Sequence, residues 1–331
     1  MEVHMSCKEE NADGVIPIFF TIDDGYAMCL GPALQSMVDN ADPSRTYEVV
    51  VVYESLSDEH REQFQAIIDQ SDAFNIQFVS MEGKFLGIQN RKSNYLRSDY
   101  FTLTIFFRLF IPDMFPEWDK GIYIDSDIIV PGDISELFDI ELGDNLIGAC
   151  HDASILGIPE FVDYVNNAVG VGIENYINSA VLVFNMKALR EVKIAERFVG
   201  LLNKYSFDSI APDQDYFNNL CFGKIRYIDQ EWDAMPAEGQ PEIEDPKLIH
   251  YNLFSKPWCY DGIQYGDYFW KYAKESGFYD EARAYKDSYS DEQKQHDADA
   301  LAQMCERGLE IGTHSENTMA TVFNTGKEPR L

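Results

Sequence analysis

GIYIDSDIIVPGD, residues 121–133, poses the question that the rest of the chain answers. Gly121 to Ile124 reads as a short strand running straight into two carboxylates, Asp125 and Asp127. Residues two apart on an extended backbone point to one side, so both carboxylates face the same way. Like charges held that close repel unless a cation or a shared proton relieves them. One reading is a strand end opening into an ordinary acidic turn. The other is a site for a divalent metal. The motif alone leaves both open.

To either side, strand-like and helix-like stretches alternate, the pattern of an α/β sheet domain. Val15–Thr21 (VIPIFFT) is the continuous apolar run of a strand covered on both faces. A helix with Pro32 near its first turn follows, where the missing N–H costs nothing. TYEVVVVYE (Thr46–Glu54) is a second strand, and Ser57 opens a helix whose first turn carries Asp58 and Glu59. Phe74–Ser80 is a third strand, and Tyr100–Phe110 reads as one helix. Beyond the aspartates, LIGAC (Leu146–Cys150), SAVLVFNM (Ser179–Met186) and KLIHY (Lys247–Tyr251) read as strands. From Asp267 the pattern is helical and charged. After Gly312 the periodicity fades, which predicts a flexible tail.

With 331 residues, 45% of them hydrophobic, the chain can bury one large or two modest cores. Its 57 acidic against 26 basic residues give a net charge of −31. That balance argues against nucleic acid and anionic lipid as partners. An anionic ligand would need local positive charge from a metal or a few cationic side chains. The leader MEVHMSCKEENADG lacks the apolar core of a signal peptide. The apolar run Tyr100–Phe115 is too short and too interrupted to span a bilayer. The six cysteines (Cys7, Cys29, Cys150, Cys221, Cys259 and Cys305) are scattered, as reduced thiols are, and a cytoplasmic location is expected. No GxGxxG or GxxxxGK[ST] loop is present to cradle phosphates. A hard cation such as Mn²⁺ or Mg²⁺ on the paired aspartates would serve instead.

Four stretches point the same way: FFTIDDGYA (Phe19–Ala27), YIDSDIIV (Tyr123–Val130), APDQDYFN (Ala211–Asn218) and HYNLFSKPW (His250–Trp258). In their order and rough spacing they resemble the retaining family 8 glycosyltransferases, the group of bacterial lipopolysaccharide galactosyl- and glucosyltransferases and of glycogenin. The resemblance covers about residues 15 to 260. It implies a GT-A type nucleotide-sugar-binding fold: α/β, with a mixed, mainly parallel central sheet flanked by helices and a helical C-terminal extension. The domain limits that follow are a polar leader over 1–14, a catalytic domain over 15–260, a helical extension over 261–312 and a flexible tail over 313–331.

Carried over residue by residue, the resemblance implies a UDP-sugar donor. Thr21, Asp23 and Asp24 would bond uracil or ribose, Tyr26 would stack on the base, and Ser126 would lie near the ribose. Asp125, Asp127 and His250 would hold Mn²⁺ or Mg²⁺, and Lys256 would meet the diphosphate. Arg108 would reach the donor phosphates and sugar, while Asp152, Asn178, Asp213 and Gln214 would line the sugar pocket. Taken alone, His250 reads as a satisfied core histidine and Arg108 as an arginine reaching for solvent. Their companions reverse both readings. Gly25 departs from the Asn common in bacterial members, and Leu253 from the Gly of HYxGxxKPW, so base and phosphate contacts differ there.

The activity implied is transfer of a hexose, galactose or glucose, to a glycan, glycolipid or glycoprotein hydroxyl with retention of the α configuration. Double displacement needs a nucleophile on the β face of the anomeric carbon. Gln214, expected there, is an amide, which favours a front-face route with Asp213 as the fallback nucleophile. Lipopolysaccharide-type relatives carry basic, aromatic tails that touch membrane, whereas this tail turns acidic over Asp287–Ala300, so peripheral membrane contact has little support. The alternative is a catalytically silent nucleotide-sugar-binding subunit or sensor. A sugar nucleotidyltransferase would require a glycine-rich basic loop that FTIDDGYA does not provide. The oligomeric state leaves no trace in the sequence.

Overall fold

The computed structural model describes residues 14–82, 104–237 and 239–331, with Thr104 and Pro212 as backbone alone. The polar leader with Cys7, and the start (Tyr100–Leu103) of the helix expected over Tyr100–Phe110, lie outside the described residues. Among the described residues the strands are β1 (Val15–Ile22), β2 (Thr46–Tyr53), β3 (Phe74–Ser80), β4 (Gly121–Ile124), β5 (Ile128–Ile129), β6 (Ile147–His151), β7 (Ile177–Phe184), β8 (Ile225–Tyr227) and β9 (Ile249–His250). They form a seven-stranded sheet in the order β3-β2-β1-β4-β7-β6-β8 and a separate β5-β9 ribbon. Strands β3, β2, β1 and β4 run parallel, β7 runs against both its neighbours, and β8 is parallel to β6.

Both faces of the middle of this sheet are covered, which is why β1, β2 and β4 read as apolar runs. On β1, Ile16, Ile18, Phe20 and Ile22 pack toward the Ala27–Asn40 and Asp58–Ile68 helices. Phe19 points the other way, into a core shared with Tyr123, Phe184 and the Ile194–Tyr205 helix. Chain direction decides where a ligand fits. From β1 the chain crosses to β2 on one side, while β4 joins on the other, so a crevice opens beyond the carboxyl ends of β1 and β4. Thr21 lies one residue before the end of β1, and Asp125 directly follows β4.

Three local expectations are corrected. Pro32 lies inside the Ala27–Asn40 helix, because a 3₁₀ turn at Asp24–Tyr26 lets the helix start earlier than the proline suggests. Of the helix expected over Tyr100–Phe110, the described part is α-helical at Thr104–Phe107 and stops short of Phe110, and a separate helix follows at Ile111–Met114. Leu109 and Phe110 bond three residues back to Phe106 and Phe107 between them. The segment expected to be a flexible tail folds. Thr318 caps a helix at Met319–Phe323 whose Met319, Val322 and Phe323 are buried in the core, and the Leu331 amide bonds the Leu220 carbonyl. Among the described residues no helix is long and apolar enough to cross a membrane, and Cys29, Cys150, Cys221, Cys259 and Cys305 are free thiols.

Candidate active site

The crevice is a cavity of about 570 Å³, within the size range of small-molecule sites. Its floor follows from the sheet. Tyr123 on β4 donates its hydroxyl to Asp125 Oδ1 at 2.6 Å and meets Thr21 Oγ1 of β1 at 2.8 Å. The Asp125 amide bonds the Ala180 carbonyl of β7 at 2.8 Å, so the aspartate is set by the same β4–β7 pairing. Asp127 leads into β5, whose Ile128 lies opposite His250 of β9. That ribbon carries the imidazole to the carboxylates: His250 Nε2 is 3.7 Å from Asp127 Oδ1. Asp125, Asp127 and His250 each offer a ligand atom, all within 4.8 Å of one another.

Charge compensation is already built in. Arg108, 5% exposed, reaches Asp125 Oδ1 at 2.9 Å and Asp213 Oδ2 at 3.3 Å, and donates to the Ser179 carbonyl at 2.9 Å. Lys256 donates to Asp127 Oδ2 and to the Tyr251 carbonyl. The electrostatic outcome differs for the two aspartates. Burial pushes Asp125 up, and the neighbouring Asp127 adds to this against the pull of Arg108. Burial also acts on Asp127, but Lys256 and His250 outweigh it and hold the carboxyl below its usual range. For His250, burial disfavours the charged ring, yet Asp233, Asp127 and Asp125 together raise its pKa.

Two oxygens and one imidazole nitrogen suit a Mn²⁺-like cation. His250 is oriented for that task, since its Nδ1 lies 3.0 Å from Asp233 Oδ1. A carboxylate accepts, so Nδ1 presents its proton to Asp233, and with a cation bound Nε2 would offer its lone pair to it. The residues present therefore fit a metal.

The expected sugar-pocket residues also converge. The Pro212–Leu220 helix begins beside β7 and presents Asp213 and Gln214. Gln214 accepts from the Ser179 amide at 3.1 Å and donates to Asp152 Oδ2 at 2.8 Å, to which Asn178 also donates at 3.2 Å. Thr21, Asp23, Tyr26, Ser126, Arg108, Asn178, Asp213, Gln214, His250 and Lys256 all line the crevice, and Asp152 lines a hollow adjoining it.

Asp24 is the exception. Its carboxylate turns away to accept from the Ser57 amide at 2.7 Å and to meet His60 Nδ1 at 2.8 Å. Asp23 caps the 3₁₀ turn through the Gly25 amide at 3.0 Å and remains in the crevice, and the tight turn sends the next side chain the other way. Leu253 has φ +51°, the left-handed backbone that glycine adopts freely, so the leucine keeps the glycine-like turn while adding a side chain to the crevice wall.

Sequence reasoning missed Asp233, Ser179 and Tyr123. Asp233 sits in QEWDAM with no motif around it, and its role appears only once the ribbon has brought His250 beside it. In the sequence Ser179 is merely a strand residue, although its carbonyl, amide and hydroxyl serve Arg108, Gln214 and Asp213.

The sequence profile of Glycosyl transferase family 8 matches residues 17–262, well over half the chain. The chain belongs to this family. Among the similar proteins is a putative glycosyltransferase of Haemophilus influenzae, 28% identical over 144 residues, which are 42% of each chain. The chain thus spans less than half the length of that relative. General stress protein A of Bacillus subtilis is 23% identical over 265 residues, covering 74% of this chain and 88% of the other. Of solved structures, the galactosyltransferase LgtC in complex with donor and acceptor sugar analogues superposes with a TM-score of 0.64. It is 24% identical, over 78% of this chain and 96% of that one. That likeness shows the fold, the GT-A arrangement of a family 8 glycosyltransferase.

Proposed function

We propose that this family 8 member is an active, retaining hexosyltransferase that moves galactose or glucose from a UDP-sugar to a carbohydrate hydroxyl. The observation that carries the reading is the meeting of Asp125, Asp127 and His250 with Lys256 and Arg108 at one crevice. These five are the groups a diphosphate-linked donor needs. Asp125, Asp127 and His250 would hold a divalent cation, Mn²⁺ or Mg²⁺, whose bound charge offsets the negative charge growing on the leaving diphosphate. Lys256 would exchange its bond to Asp127 for phosphate oxygens, and Arg108 would steady Asp125 and Asp213 beside the sugar.

In the reaction, the acceptor oxygen bonds the anomeric carbon as the bond from that carbon to the diphosphate oxygen breaks. The acceptor's proton passes to the departing phosphate oxygen. Gln214 is tied at both ends of its amide, to Ser179 and Asp152. It shields the far face of the sugar without attacking it, which supports the front-face route. A glycosyl adduct trapped on Asp213 would overturn that route.

The test is UDP release from a panel of UDP-hexoses with Mn²⁺, with and without chelator, beside Asp125→Ala. Slow hydrolysis of one donor, lost on chelation and in the variant, is expected. UDP binding without turnover of any donor, with or without acceptors, would replace this reading by a silent nucleotide-sugar-binding subunit.

A further inference from the structure

The family profile ends at residue 262, yet the crevice wall continues into Tyr285, Tyr289, Asp297 and Met304. These residues come from the Tyr279–Ser288 and Asp291–His314 helices and the turn between them. We propose that this wall is the acceptor subsite, an aromatic platform for a neutral pyranose of an oligosaccharide. The inference rests on the transferase reading above and gives the second substrate its place in that crevice.

Three observations carry it. First, the rings are held in place. The Tyr260 and Tyr289 hydroxyls both donate to Asp297 Oδ2 at 2.6 Å. Tyr285 lies against Tyr289 with ring centroids 5.8 Å apart and planes at 33°. Tyr285 is 36% exposed, so part of the platform faces open space. A pyranose has one face of axial C–H bonds, and these partially positive hydrogens are drawn to the negative face of an aromatic ring. Rings fixed beforehand lose little freedom on binding.

Second, the wall leads to the reacting centre. Asp297, Ala300, Met304, Gly308 and Ile311 follow helical spacing along one face of the Asp291–His314 helix, and all but Met304 are buried. A Cβ at Gly312 would lie 3.1 Å from Tyr164 Cα, so the small residue lets this helix sit close on the main domain. Met304 then lines both the crevice and the adjoining hollow that holds Asp152 and Gln214. An acceptor lying along this wall would bring its hydroxyl into the part of the crevice given to the donor sugar.

Third, charge selects a neutral ligand. The crevice cations, Arg108 and Lys256, are engaged by Asp125, Asp213 and Asp127. With Asp297 in the wall and a net charge of −31 on the chain, an anionic acceptor is repelled.

The test titrates the full chain with lactose, maltose and cellobiose in the presence of UDP and Mn²⁺. Ligand-observed NMR gives the sugar affinity and calorimetry gives the UDP affinity. At least one disaccharide is expected to bind the wild type. Tyr285→Ala should weaken it about tenfold, the loss of one good ring contact, Tyr285→Phe should retain it, and the UDP affinity should not follow. Tyr285 is surface-exposed, so these variants do not depend on refolding a core.

No disaccharide binding, or binding indifferent to Tyr285→Ala, would overturn the platform while UDP binding still supports the transferase. A parallel fall in UDP affinity would assign the wall to the donor and overturn the proposal. Absence of UDP binding in the wild type would overturn the transferase reading, and the acceptor wall with it.

Discussion

Asp233 shows how a buried side chain with no motif can govern a site. It is fully buried, holds His250 by Nδ1 and contributes no ligand atom of its own. Asp233→Asn keeps the volume but removes the charge that fixes the ring's proton. Mn²⁺ affinity in the presence of UDP is expected to fall between about tenfold and a hundredfold, as read by calorimetry. Unchanged affinity would remove Asp233 from the site. Asp24 supports the opposite outcome. Partial burial pushes its carboxyl up, but hydrogen bonds from the Ser57 amide and His60 prevail and hold it below the usual range. A carboxyl held low in the fold adds stability above its ordinary pKa and loses it as pH falls through the lowered value. With 42% of the side chain exposed, the effect is under about 1 kcal/mol. Asp24→Ala should therefore lower the denaturation midpoint at pH 7, with the difference from wild type closing as pH falls below the ordinary carboxyl range. UDP affinity should stay unchanged, and a large loss of it would restore Asp24 to the donor site.

Helices packed without room make the sharpest mechanical test. A Cβ on Gly31, in the Ala27–Asn40 helix, would lie 2.1 Å from the Phe278 ring. That ring also packs against Phe64, with centroids 5.6 Å apart. In an exposed helix, replacing glycine by alanine gains about 1 kcal/mol. Here overpacking should reverse the sign and cost about 1–3 kcal/mol, and a raised melting temperature for Gly31→Ala would contradict the packing. The same elements show what the sequence could reveal. Strands β1 and β2 were legible because burial on both faces leaves long apolar runs, and the aspartate pair was legible because it directly follows the apolar β4. KLIHY shrank to Ile249–His250, since the amides of Lys247 and Leu248 turn to the Glu231 carbonyl instead of a strand partner. The Met319–Phe323 helix was illegible for a different reason. Its apolar residues keep helical spacing over barely one turn, and what buries them arrives from other parts of the chain.

Over the whole molecule, a charge of −31 makes the fold repel itself. Raising sodium chloride from about 10 mM to about 150 mM shortens the Debye length from roughly 30 Å to 8 Å. The urea midpoint at pH 7 should rise accordingly, and a fall would mean that attractive surface pairs outweigh the repulsion. The two-stranded β5–β9 ribbon has a consequence for how the protein comes into being. It joins segments far apart in the chain, and the Lys256–Asp127 pair that it sets up spans 129 residues. A chain still emerging from the ribosome carries Asp125 and Asp127 long before the imidazole and ammonium that answer them. Asp125 can already meet Arg108 during that interval, whereas Asp127 waits for Lys256, so the cluster is complete only once synthesis has passed residue 256.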